Sequence, residues 1–428
     1  QRYKEIQLGH RFLSLSKDGD NYQEFKQAKD ELIKRLKELN FELNQLLHKQ
    51  TSGIKYDAWQ QSHQPFHWFA EFYEIIHDKG GFDVIIGNPP YVEVRQIDYK
   101  PRNLKTFETG AVHNMCIERS LQILNIRGNI SMIVPLALVC TQRMVIVQNL
   151  LEEKRITWYS NFAWRPGKLF ENVNRALNIF ISNSSDKKQV FNTKYLKWQA
   201  DTREDLFPNI NFIDWNENRN SFWVPKLGNN IEISLLKKVL SAESSISYLI
   251  TKNSSNRVYY RTTGGLYWKI FTNFSPKFFL KGKESKSSRE TSFAVKDKNQ
   301  DVMCVSLLSS NLFWWWYTVT SNLRDLNPSD IQGFRFPLSI LEDNQLLELG
   351  KRYLKNLDEN SELLTRIQKQ TGETQTQSFK ISLSKPIIDE IDKVLAEHYG
   401  FTDEELDFII NYDIKYRMGK ELESESDL

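Results

Sequence analysis

Four consecutive residues, Asn88-Pro89-Pro90-Tyr91, place a side-chain amide, two rigid rings and a phenol directly after the apolar run Phe82-Asp83-Val84-Ile85-Ile86-Gly87. The two prolines fix two φ angles and remove two backbone N–H donors. Pro89 also keeps Asn88 out of the helical region. The Asn88 side-chain oxygen and the Pro89 carbonyl are thereby expected to be stationary acceptors beside an aromatic ring. That set suits an aromatic amine, such as the exocyclic amine of adenine, which is a poor nucleophile because its lone pair is delocalised. Two acceptors on its N–H bonds pull it toward tetrahedral geometry. They also stabilise the positive charge that develops as nitrogen attacks a methyl group. Tyr91 would stack on the base. The chemistry needs no metal and no strong base, because positioning does most of the work.

The elements around the motif must hold it still. Val84-Ile85-Ile86 is β-branched throughout, as in a strand covered on both faces. Gly87 ends the strand, which puts the motif at a carboxyl end, where ligands sit in open α/β sheets. An amphipathic helix is expected over Val112–Asn125, a turn at Arg127-Gly128-Asn129, and a strand over Ile130–Val134 stopped by Pro135. A helix over Arg143–Lys154 and strands over Ile156–Phe162 and Ala176–Ser182 follow. Such alternation gives a mostly parallel sheet.

Asn88-Pro89-Pro90-Tyr91 after a buried strand resembles the catalytic motif of S-adenosylmethionine-dependent DNA adenine methyltransferases. The resemblance is to type IIG restriction–modification proteins and their Taq-like relatives, and it covers roughly residues 80 to 420. It implies an α/β fold: the second half of a Rossmann-like methyltransferase sheet, an α+β target-recognition domain, and C-terminal helices. The domains implied are a helical segment at 1–78, a catalytic half-domain at 79–185, a recognition domain at 186–340 and a helical region at 341–428. It also implies that Phe170 touches the flipped base opposite Tyr91. Cytoplasmic methylation of adenine in double-stranded DNA is the implied activity, with S-adenosylmethionine as cofactor. No glycine-rich cofactor loop is readable between Gln1 and Asp83. The chain starts with Gln1 and reads as a fragment or processed chain, with the main cofactor loop expected upstream of residue 1. An upstream portion of the same protein, or a separate cofactor-binding or nuclease subunit, is the expected partner. Two other readings share these residues: a DNA-specificity module without activity of its own, and a protein or RNA methyltransferase carrying the same tetrapeptide.

The rest of the chain adds bounds. Its 428 residues suffice for two or three domains, and a net charge of +3 says little about partners. Cys116, Cys140 and Cys304 form no metal-spaced pair, which fits a reducing compartment. No apolar run approaches membrane-spanning length. Local charge says more: residues 251 to 300 hold 11 Lys/Arg against 3 Asp/Glu, interleaved with aromatics. Arg257, Arg261, Lys281, Lys283, Lys286 and Arg289 are therefore expected to contact DNA. The run Trp314-Trp315-Trp316-Tyr317 is expected to be core. His63 and His67, four apart with Pro65 between, are read as packed or exposed, and no metal site is expected. Helices are expected at 341–370 and 382–420, joined by a polar linker at 368–379.

Overall fold

The first described elements are the helices α1 (Asp20–His48) and α2 (Tyr56–His63). Gly81 then decides where the sheet begins. Its φ is +122°, and an added Cβ would lie 2.6 Å from Asn125 N and from Ile123 O. Only glycine lets the backbone pass so close. From there β1 (Phe82–Gly87) runs parallel to β2 (Leu124–Pro135), with Gly87 opposite Met132. The crossover between them carries α3 (Val112–Ile123), as parallel neighbours require. The computed structural model describes residues 20–51, 53–97, 101, 103–215, 221–264, 267–297, 299–368 and 372–418. The first part of the expected helical segment, residues 1–19, lies outside them.

The expected turn at Arg127-Gly128-Asn129 is instead a bulge inside β2. Phe82 opposes Leu124 while Val84 opposes Asn129, so the register absorbs extra residues between these pairs. Arg155 satisfies the carbonyl that the bulge frees: its Nη2 donates to Gly128 O at 2.9 Å and to Ser182 O at 2.7 Å.

After α4 (Val145–Glu152) come β3 (Arg155–Phe162), β4 (Leu177–Ser184), β5 (Gln189–Leu196) and β6 (Ile213–Asp214). The sheet order is β1-β2-β4-β3-β5-β6, parallel at β1–β2 and antiparallel at β5–β6. The protein is thus mixed α/β, with a mixed six-stranded sheet and helices. It divides into two units. The first holds residues 1–134, 146–157 and 179–189; the second holds 135–145, 158–178 and 190–428. No helix among the described residues is long and apolar enough to cross a membrane.

The second unit contains α5 (Asn230–Ser241) and two four-stranded sheets. One has the order β9-β8-β12-β7, from β7 (Ile250–Thr251), β8 (Arg257–Arg261), β9 (Phe271–Thr272) and β12 (Glu290–Val295). The other has the order β11-β10-β14-β13, from β10 (Phe278–Leu280), β11 (Lys283–Glu284), β13 (Ser361–Gln368) and β14 (Gly372–Phe379). Helices α6 (Gln300–Ser309), α7 (Asn311–Thr320), α8 (Asn344–Glu359) and α9 (Lys385–Tyr399) make its core. Every residue of α7 is buried, so the Trp314–Tyr317 run is core as expected. The indole N–H of Trp315 donates to Glu232 Oε1 at 3.1 Å, and that of Trp314 to Asp413 Oδ2 at 3.1 Å.

The helix expected to reach 370 and the linker expected at 368–379 are corrected by β13 and β14. These strands pair antiparallel from Ser361↔Phe379 to Gln368↔Gly372. Gly372, at φ +78°, supplies the left-handed turn residue. Thr374 and Gln377 are buried, and the Gln377 amide donates to Asp358 Oδ1 at 3.0 Å and Ser361 Oγ at 2.8 Å. A Thr/Gln-rich stretch that looks like linker is therefore strand, because long-range partners satisfy its amides.

Candidate active site

In the first unit the motif loop is clamped from three sides. Glu93 and Ala111 form an antiparallel bridge. Val94 N donates to Gly110 O at 2.8 Å and Val112 N to Val92 O at 3.0 Å, fixing the chain just after Tyr91. The Tyr91 hydroxyl donates to Ile133 O of β2 at 2.9 Å. The His113 ring meets Tyr91 edge-on, with centroids 6.2 Å apart at 85°.

Helix α3 holds the other half of the clamp. Glu118 is buried and accepts from Lys105 N at 3.0 Å and Thr106 N at 2.8 Å. Burial pushes its carboxyl up, but these donors outweigh burial and leave it below the ordinary range. Asn114 Nδ2 donates to Thr109 Oγ1 at 2.9 Å. So α3 grips residues 105–109, and residues 110–112 grip the motif loop. Sequence reasoning missed Glu118 and Asn114. The signal was there: Ala111, Asn114, Met115 and Glu118 fall at helical spacing, which sets two polar residues on the apolar stripe.

Within this frame Pro89 is buried, Asn88 and Pro90 are exposed, and Tyr91 is partly buried. The Asn88 side chain hydrogen-bonds to no described residue. A cavity of ≈ 680 Å³ opens along β1, lined among others by Ile86, Asn88, Pro89, Cys116 and Arg119. No Asp or Glu is among its described lining residues. An S-adenosyl nucleoside needs an acidic partner for its ribose in folds of this kind.

The expectation that Val84-Ile85-Ile86 is covered on both faces is corrected. Val84 is 57% and Ile86 78% exposed. Both lie on the face of Phe82, which Trp68 and Phe72 cover only at that end, at centroid distances of 5.9 and 5.2 Å. The physical reason is that Val84 and Ile86 border the cavity along β1 instead of a packed layer.

The other expected site residues lie in the second unit. Phe170 is 38% exposed. Its loop is held by the Arg203 guanidinium, which donates to Lys168 O at 2.9 Å and Leu169 O at 2.7 Å. Arg257 and Arg261 sit on β8; Arg257 Nε donates to Ser292 Oγ at 3.0 Å. Lys281 and Lys283 flank the Gly282 turn between β10 and β11, and Lys286 and Arg289 are exposed just before β12. In the first unit, His63 Nδ1 lies 3.2 Å from Trp59 O, and His67 Nε2 lies 2.8 Å from Asn44 Oδ1, so both histidines have packing partners. No group of acidic, His and Cys side chains that could hold a metal occurs among the described residues.

Comparison with known proteins follows the same region. Residues 4–170 match the family described as Eco57I restriction-modification methylase. No curated protein matches the chain. Among solved structures, the type IIL restriction-modification enzyme MmeI in complex with DNA is similar at 10% identity and a TM-score of 0.42, over 76% of this chain and 56% of that one. A nuclease-deletion mutant of the type ISP enzyme LlaGI, with a DNA substrate mimic, is similar at 12% identity and a TM-score of 0.37, over 72% of this chain and 40% of that one. The ATP-dependent type ISP enzyme LlaBIII bound to DNA gives 10% identity and a TM-score of 0.32, over 69% and 32%. The chain spans 56% of the length of MmeI, 40% of that of LlaGI and 32% of that of LlaBIII, and the family match covers residues 4–170.

Proposed function

We propose that this chain carries the amine-binding part of a DNA adenine methyltransferase of a restriction–modification system, of the type IIG, Taq-like kind. Asn88 carries the reading. Its amide is exposed, fixed by the following prolines, engaged by no described residue, and placed at a cavity mouth. A polar group held still and left without a partner is preorganised for a ligand. Adenine within a duplex cannot reach such a site, so the base leaves the stack. The Asn88 oxygen and the Pro89 carbonyl accept the two N–H bonds of its amine. As the nitrogen gains positive charge those bonds strengthen, so they act on the transition state more than on binding. Tyr91 stacks on the base, with its ring plane set by the bond to Ile133 O. S-adenosylmethionine is the methyl donor. The second unit holds duplex DNA through Arg257, Arg261, Lys281, Lys283, Lys286 and Arg289.

The basic stretch at 251–300 favours one second reading, a DNA-specificity module that is silent by itself. Nucleoside mass spectrometry of duplex DNA treated with S-adenosylmethionine and the chain tests both. N6-methyladenine that disappears with Asn88→Ala is expected. Methylcytosine as the product, or an undiminished yield with Asn88→Ala, overturns the assignment. Full activity of the chain alone excludes the silent module.

A further inference from the structure

We infer that the second unit carries an anion site, matched to one phosphate of a nucleic-acid backbone, where its two four-stranded sheets face each other, with Arg261, Arg289 and Arg366 as its contacts. The placement comes first from strand register. Arg366 pairs with Thr374, Thr374 with Leu280, and Leu280 with Lys283, so these four form one cross-strand row on one face. The next row on that face is Leu364, Thr376 and Phe278. Thr376 and Phe278 line a cavity of ≈ 60 Å³ together with Tyr259, Arg261 and Glu290 of the other sheet. Arg366 thus stands one row along from Thr376 and Phe278, which line the cavity shared with Arg261.

The other wall brings its own cations. Arg261 stands opposite Glu290 on β12, and Thr262 N donates to Arg289 O at 3.0 Å. Burial pushes the Arg261 guanidinium below its ordinary value; Glu290 pulls it back, and Arg289 and Arg366 push it down again. Arg366 is thus within electrostatic reach of Arg261 although 105 positions away in sequence. Arg261 and Lys286 act on Glu290, whose carboxyl burial pushes up, while Arg289 and Arg366 act on Arg261. The neighbouring carboxylates do not balance them. Glu284 pairs with Phe279, on the opposite face. Glu362 is bound to Lys380 at 3.3 Å. Like charges held together self-repel, and an anion relieves them. Guanidinium forks match phosphate oxygens in pairs.

The inference rests on the proposed DNA reading only for the carrier of the phosphate. The test uses the full chain, a labelled DNA duplex and anisotropy at a series of NaCl concentrations. With Arg366→Gln, affinity should fall severalfold and the slope of log affinity against log salt should shrink by about 0.9, one phosphate contact. Arg366→Lys should keep most of the slope. Without DNA, the Arg366→Gln chain should melt at the wild-type temperature or above it, since a like charge has gone. Inorganic phosphate and pyrophosphate form a parallel thermal-shift arm. Protection that Arg366→Gln abolishes supports the site with a free phosphate as carrier; an Arg366-dependent effect of the duplex alone supports a backbone phosphate. An unchanged slope and affinity overturn the inference while leaving DNA methylation standing. Lowered melting with unchanged binding marks Arg366 as structural and also overturns it. A wild-type chain that binds neither duplex nor phosphate overturns this site and the DNA reading together, whereas binding without methylation touches only the catalytic proposal.

Discussion

Asn88 and Asp392 are short polar side chains with opposite fates. Asn88, in the first unit, is exposed and bonded to no described residue. Asp392, on α9 in the second, is 1% exposed and accepts from Asn311 N at 3.0 Å, Leu312 N at 3.1 Å and Asn311 Nδ2 at 2.8 Å. It caps α7 from outside that helix. The same contrast holds for apolar residues: Ile86 is 78% exposed, Trp315 fully buried. One region spends its groups on itself, and the other keeps them available. Availability is tolerable because water solvates an exposed amide, while an unmet buried carboxylate would be costly.

The sharpest way to break this comparison is to damage the closed region. Trp315→Ala should lower the unfolding free energy by about 3–5 kcal/mol, from the lost volume together with a Glu232 carboxylate deprived of its donor. Chemical denaturation measures it, and a loss below about 1 kcal/mol would show the core to be slack. Asn88→Ala should do the reverse. Methyl transfer should fall by about 10²–10³-fold, with unfolding within about 0.5 kcal/mol of wild type. A large stability loss would mean that Asn88 is committed after all.

Glu118 belongs to neither extreme, being buried but placed to serve the open site. Glu118→Ala should cost about 1–3 kcal/mol by leaving Lys105 N and Thr106 N unmet. Since its folded carboxyl lies below the ordinary value, its contribution is present above pH 4.5 and is lost as pH falls through the depressed value. Melting curves of wild type and variant should therefore converge in acid; parallel curves down to low pH would remove Glu118 from this role.

Asp392 has the opposite sign. Burial pushes its carboxyl up to about 7 from 3.8. The folded state then binds the proton more tightly, so this contribution is full below 3.8 and fades as pH rises to about 7. Asp392→Asn should flatten that part of the pH–stability curve, and an unchanged slope would contradict it. The smallest effect is expected at Ile86→Lys, within about 0.5 kcal/mol of wild type, because the side chain is already in water. A clear drop would reveal a covering contact over β1.

How much of this was legible in the sequence differs by residue. The motif was, because two prolines leave the backbone few choices. The Trp314–Tyr317 core was, because no surface helix shows four successive large aromatics. The burial of Val84 and Ile86 was misread: β-branching encodes an extended backbone, not the presence of a neighbour. The hairpin of β13 and β14 was hidden because Thr and Gln become strand residues only once a partner meets their amides. Arg366 had no local signal, since Arg261 belongs to another sheet and lies 105 positions away.

The bulge in β2 uncouples the two ends of the strand. A strand that changes length by one residue normally turns its buried face outward. Here the irregularity lies between the Phe82 and Val84 pairings, and its Ile126 is 85% exposed. Beyond it Ile130, Met132 and Val134 are buried, and Gly87 pairs with Met132, so the irregularity ends before the strand reaches the motif.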